Sequence, residues 1–142
     1  MRSLTIDQLS VGDAARFTKT VTEIDIAFFA AIGGDFNPVH FDDEFAKRSL
    51  FGARVAHGPV LLAFAANVLG MELPGVGTIA VENHIAYRRP AYIGDTITTT
   101  GEVAELDVDA HRTKIALTWT NQDATVIADG YAIVMPPKRP AI

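Results

Sequence analysis

Gly58-Pro59-Val60-Leu61-Leu62-Ala63-Phe64-Ala65-Ala66-Asn67-Val68-Leu69-Gly70 carries one polar side chain, Asn67, between its flanking glycines. Proline suits the first turn of a helix, where a missing N–H has no intrahelical bond to lose. A glycine placed like Gly70 makes a left-handed cap. The segment therefore reads as a helix that is apolar on every side, and such a helix has to be enclosed on most of its faces. It is too short to cross a bilayer, which takes about 20 residues.

The rest of the chain supplies the enclosure. Strands are predicted over 78–88, 96–106, 112–121 and 125–135. In the third, Ile115, Leu117 and Trp119 alternate with Lys114 and Thr118, the period-two pattern of a half-buried strand. Connectors such as Asn121-Gln122-Asp123-Ala124 are short and turn-like, which favours antiparallel neighbours. One apolar helix followed by long antiparallel strands predicts an α+β fold in which a curved sheet wraps the helix, the hotdog arrangement. The last strand is apolar on both faces apart from Asp129, so pairing with a second copy, a homodimer, is expected.

Upstream, a short strand is predicted over 15–20. Thr22 then caps a helix, with Asp25 completing a capping-box variant. Ile24, Phe28, Ala31 and Ile32 recur at helical spacing, and Gly33-Gly34 stops the run. A loop over 35–40 follows, and Asp42 opens a short helix through Ala46. Residues 134–142, with Pro136, Pro137 and Pro140, read as a tail, because proline cannot donate to a ladder. All of this fits one domain over 1–142.

Composition excludes several functions. The 142 residues include no cysteine and carry a formal charge of −5. A domain of that length buries roughly 70% of its unfolded surface and needs no staple. Without cysteine there is no disulfide, no thiolate nucleophile and no zinc site with sulfur ligands. Net acidity disfavours a nucleic-acid partner. The first residues, Met1 to Gln8, have no apolar core of signal-peptide length. A cytoplasmic protein without membrane attachment is expected.

Two clusters could carry chemistry. In Gly33-Gly34-Asp35-Phe36-Asn37-Pro38-Val39-His40 an acid and an imidazole stand five residues apart. They converge only if the chain turns between them, and Asn37-Pro38 is a turn signal. A catalytic loop is one reading; a shaped loop with an ordinary half-buried histidine is the other. The second cluster, Ala56-His57-Gly58-Pro59, opens the apolar helix. Helix starts present unpaired N–H groups and positive potential, which suit a developing oxyanion. Pro59 donates nothing, leaving Gly58 N–H and Val60 N–H. Equally, these residues could merely begin a helix. A metal site of His40, His57 and His84 lacks any paired-histidine motif and is not expected. Asn83 and His84 fall on opposite faces of their strand, and His111 is expected in solvent.

Asp35-Phe36-Asn37-Pro38-Val39-His40, His57-Gly58, Leu73-Pro74-Gly75 and Tyr87-Arg88-Arg89-Pro90-Ala91-Tyr92-Ile93-Gly94-Asp95 follow in that order. The series resembles the MaoC-like family of (R)-specific enoyl-CoA hydratases, over about Val11 to Val134. D-x-N-P-x-H is its most specific element. The resemblance implies a homodimeric hotdog enzyme that adds water reversibly to trans-2-enoyl thioesters, with no metal or redox cofactor. Asp35 and His40 would hold and activate the water, and Gly58 N–H would bind the thioester carbonyl. Asn37 would brace the loop, while Phe36, His57 and Val60 would border the acyl-CoA substrate. Arg88 and Arg89 would meet the CoA handle or simply close a strand end. Two departures stand out: Leu62-Ala63-Phe64 where members often carry a serine, and Pro59 after the glycine. Rival readings are a dehydratase acting on acyl carrier protein, a non-catalytic acyl-thioester subunit and a thioesterase.

Overall fold

Val60, Leu61, Phe64 and Ala65 share one side of a helix and are all buried. The computed structural model describes residues 1–141. It contains five strands, β1 (Ala14–Thr20), β2 (Ile79–Tyr87), β3 (Thr96–Asp107), β4 (Arg112–Thr120) and β5 (Val126–Met135). They form one sheet in the order β1-β3-β4-β5-β2, antiparallel at every junction. The helices are α1 (Glu23–Gly33), α2 (Pro38–Phe41), α3 (Asp43–Lys47) and α4 (Val60–Asn67). The sheet wraps α4, so the predicted hotdog arrangement and all five strands are present, with ends within about a residue of expectation.

The alternation on β4 does the packing. Ile115, Leu117 and Trp119 are fully buried and join Ile97, Val103, Ala132 and Val134 with Leu61, Phe64 and Ala65 in one core. Trp119 Nε1–H donates to the Leu61 carbonyl at 2.8 Å, which fixes helix against sheet. A close approach helps the same seam. A Cβ at Gly101 would lie 2.8 Å from Val68 Cγ1, so only glycine lets the helix end settle this low on β3.

Five expectations change. The sheet encloses α4 on one side only: Ala63 and Ala66 are exposed. Gly70 does not cap the helix with a left-handed turn; the chain winds on as a wider π turn over Val68–Glu72. On α1 the stripe Ile24, Phe28, Ala31 and Ile32 faces outward, while Ile26 and Ala30 enter the core. The end of the chain is docked rather than frayed. Val134 and Met135 complete β5, Pro136 and Pro137 are buried, and Ala141 N–H donates to Ser3 Oγ at 2.8 Å. His111 is half-buried and donates from Nε2 to the Pro136 carbonyl at 2.9 Å, so it is not free in solvent. Ile142 lies outside the described residues.

Between β1 and α4 the chain makes one long excursion carrying α1, α2 and α3. Arg54 holds its two ends together, pairing with Glu23 at the start of α1 and with Asp43 at the start of α3. Among the described residues no helix is long and apolar enough to cross a membrane.

Candidate active site

The expected turn after α1 is built from short-range hydrogen bonds. Thr22 and Asp25 form the capping box that starts α1, and Gly34, at φ 72°, ends it. Asp35 Oδ1 then accepts from Asn37 N–H at 3.1 Å, and Asn37 Oδ1 accepts from Val39 N–H at 3.2 Å. These are Asx turns, in which a short polar side chain mimics a backbone turn. Asn37 thus caps α2, with Pro38 at the position where its ring is tolerated. One turn later His40 points back toward Asp35.

The result is convergence. His40 Nε2 and Asp35 Oδ2 are 3.9 Å apart, His40 nearly buried and the Asp35 side chain half exposed. His40 Nδ1 lies 2.8 Å from the Val55 carbonyl. A carbonyl only accepts, so Nδ1 carries the proton and Nε2 presents its lone pair toward the carboxylate.

His57 stands on the other side of Asp35. Its Nε2 is 4.0 Å from Asp35 Oδ2 and 2.9 Å from the Asp35 carbonyl oxygen. Its ring stacks on His40 with centroids 3.7 Å apart. Sequence spacing gave no sign of this pairing, because sixteen residues intervene between the two histidines and only the tertiary fold brings them round. Asp35, His40 and His57 offer donor atoms within 4.8 Å of one another. They fit a divalent cation poorly, since His57 spends Nε2–H on a carbonyl and, of the two imidazoles, only His40 presents a lone pair to the common point. His84 is remote from this group: it stacks on Tyr131 across the outer sheet face, 5.2 Å between centroids.

A cavity of about 520 Å³ opens beside the dyad. Val39, His40, His57, Gly58, Leu61 and Tyr87 are among its walls. Gly58 N–H has no hydrogen-bond partner among the described residues. Val60 N–H, the second expected donor, is already given to the His57 carbonyl at 3.1 Å, and Val60 is buried away from the cavity. That leaves Gly58 as the one free amide at the start of α4. The Tyr87 ring covers it so closely that a Cβ on Gly58 would lie 2.8 Å from Cζ. Burial pushes the Tyr87 phenol up, so it remains protonated.

Other expected contacts sort themselves. Phe36 is exposed and stacks on Phe41 at 5.7 Å rather than entering the cavity. Asn37 braces the loop and does not line the cavity. None of Leu62, Ala63 and Phe64 lines it either, so the departure at Ala63 leaves its donor set unchanged. Arg88 donates from Nε and Nη2 to Asp129 at 2.7 and 2.9 Å, and these bonds hold the Asp129 carboxyl below the usual carboxylate range. Arg89 borders the same cavity and has no ion-pair partner among the described residues. Asn83 faces a second cavity of about 250 Å³, between α4 and β2.

A sheet wrapped on an apolar helix, with an acid–imidazole pair beside the helix start, defines a hotdog protein of the acyl-thioester type. The model of the MaoC like domain matches residues 8–126, and the chain belongs to that family. It is 37% identical to a 3-hydroxybutyryl-CoA dehydratase of Methylorubrum extorquens over 139 residues, 98% of this chain and 88% of the relative. It is 36% identical to an (R)-specific enoyl-CoA hydratase of Rhodospirillum rubrum over 133 residues, 94% of this chain and 92% of the relative. Among solved structures, the unliganded R-hydratase PhaJ1 of Pseudomonas aeruginosa superposes with a TM-score of 0.91 at 33% identity, covering 97% of this chain and 88% of that one.

Proposed function

We propose that this protein is an (R)-specific hydratase and dehydratase of acyl thioesters, interconverting trans-2-enoyl and 3-hydroxyacyl forms. The observation that carries the reading is the 3.9 Å gap between Asp35 Oδ2 and the bare Nε2 of His40, beside a cavity walled by a free Gly58 amide. Such a gap is too long for a direct hydrogen bond and suits one bridging water, roughly 2.8 Å from each atom. Relatives named for hydration and for dehydration support the two directions of one reaction.

The chemistry follows from those atoms. His40 Nε2 takes a proton from the bound water as its oxygen attacks C3, and Asp35 orients the water by accepting its other hydrogen. Negative charge moves to the thioester oxygen, where Gly58 N–H donates. The proton taken by the dyad then returns to C2. Dehydration runs the same steps backwards, and no step calls on a metal or redox group.

The test is direct. Crotonyl-CoA should lose its enoyl absorbance without release of free thiol. Thiol release would mean a thioesterase, and an inert chain would mean a non-catalytic subunit. Preference for an acyl-carrier substrate over CoA in a paired assay would move the protein to the carrier-protein dehydratases.

Two smaller expectations belong to this reading. Gly58→Ala should lower kcat/KM about 10- to 100-fold, since displacing the Tyr87 ring misplaces the thioester. Tyr87→Ala in the same chain should restore part of the loss, and kinetics on the single and double variants check it. Arg89, not Arg88, is the cation available for CoA phosphates. Arg89→Ala should raise KM for crotonyl-CoA several-fold without changing kcat. With the N-acetylcysteamine thioester, which has no phosphate, KM should stay put.

The same proposal includes a homodimer in the cytoplasm. β2 is a sheet edge whose outer side is unpaired, and Ile79 and Val81 on it are exposed. Edge strands of this kind pair readily with another copy.

A further inference from the structure

His57 is almost fully enclosed, its side chain 1% exposed. The ring is packed between Phe29, 4.7 Å away, and His40, 3.7 Å away, with Phe41 edge-on at 6.2 Å. Its Nε2 must be the protonated nitrogen, because its partner is the Asp35 carbonyl oxygen. Its Nδ1 then holds a lone pair, and that atom is buried without any hydrogen-bond partner. Burying an unpaired acceptor is unfavourable. A phenyl ring would fill the same stack without that cost. What phenylalanine could not do is donate to Asp35.

We propose that His57 is a positioning residue, which fixes the dyad through the backbone of Asp35 and the face of His40 without hydrogen-bonding to substrate. The proposal rests on the hydratase reading above and adds a residue to it. Asp35 follows Gly34, a left-handed residue at which the chain changes direction. The Asp35 carbonyl has no other partner among the described residues, so His57 is its single anchor. Anchoring the carbonyl sets where the carboxylate points, and Oδ2 then lies almost equidistant from the two Nε2 atoms, at 3.9 and 4.0 Å. The imidazoles hold opposite tautomers, each pinned by one backbone carbonyl. His40 thus keeps its lone pair toward the water seat, while His57 gives its one N–H to the Asp35 carbonyl. A role as substrate ligand fits less well, since the free nitrogen of His57 is out of reach of anything in the cavity.

The experiment compares His57→Phe, which keeps a stacking ring, with His57→Gln, whose side-chain amide can still donate to Asp35. Turnover of crotonyl-CoA, thermal unfolding and hydrogen exchange of the Asn37 amide are measured on both. That amide donates to Asp35 Oδ1 at 3.1 Å and so reports the carboxylate itself. The phenylalanine variant should stay folded, lose about 10- to 100-fold in kcat and keep KM within about threefold. The glutamine variant should recover most of kcat, and the Asn37 amide should exchange faster with phenylalanine than with glutamine. A change in KM alone would make His57 a substrate ligand and overturn the proposal. Equal losses in both variants, or loss of the fold with phenylalanine but not glutamine, would make it a packing residue and overturn it too. An inert wild type would sink the hydratase reading; the exchange comparison would still decide the positioning role, equal rates overturning it.

Discussion

His40→Ala is expected to lower turnover of crotonyl-CoA by about a thousandfold or more, and Asp35→Asn to do nearly the same. A positioned base contributes roughly 10²- to 10⁴-fold to a proton transfer. In the proposed mechanism one imidazole lone pair is the base, and one carboxylate holds the water it acts on. Asparagine keeps the shape of Asp35 and its Oδ1 link to Asn37 N–H, so its effect isolates the charge. Alanine at position 40 leaves the Val55 carbonyl without its partner, and a thermal melt alongside the kinetics separates lost chemistry from lost fold. The two substitutions together should cost little more than either alone, because acid and imidazole act on one water. Turnover retained within tenfold in either single variant would remove the dyad from the mechanism.

The second large effect is on stability. Trp119→Ala is expected to destabilise the protein by about 3–5 kcal/mol, the range for truncating a fully buried aromatic. Trp119 is 0% exposed, sits near the end of β4, the central strand of the sheet, and ties the sheet to α4 through the Leu61 carbonyl. Small domains hold only about 5–15 kcal/mol in all, so the melting temperature should fall by roughly 10 °C or more. Trp119→Phe should cost clearly less, since it keeps most of the apolar volume and loses the N–H bond. Urea denaturation of the three proteins at one concentration measures both, with the concentration fixed because association would add to apparent stability. A loss below about 1 kcal/mol for the alanine variant would mean that the seam between sheet and helix is not where the core is held.

Both effects fall on elements that the sequence makes readable for simple reasons. Ile115, Leu117 and Trp119 alternate with polar residues, and that period of two names their face without further information. Asp35 and His40 are joined by an Asn-Pro turn whose geometry is local, so their convergence needs no tertiary contact to be guessed. α1 is the opposite case. Its apolar residues lie on both sides of the helix, so periodicity could not choose between Ile24, Phe28 and Ile32 and the inward set of Ile26 and Ala30. Packing made that choice. A helix start leaves donors over, but a local turn at His57 takes up Val60 N–H. The docked prolines escaped notice for a related reason. Lack of an N–H forbids a ladder, yet it does not forbid burial of the ring. His57 was legible only as the neighbour of Gly58; its contact with Asp35 exists because α4 carries it there.

Arg54, pairing with Glu23 and Asp43, gives the molecule two tiers of cohesion. The sheet and α4 share an apolar core, to which α1 adds Ile26. The excursion from α1 to α3 contains both members of the dyad, and it is fastened in part by ion pairs whose carboxylates are largely exposed. Exposed pairs weaken as salt rises. Raised salt is therefore expected to loosen the loop that carries Asp35 and His40 before the strands part. On that expectation activity is lost at a salt concentration or temperature at which the sheet is still intact, so the integrity of the sheet is no gauge of activity.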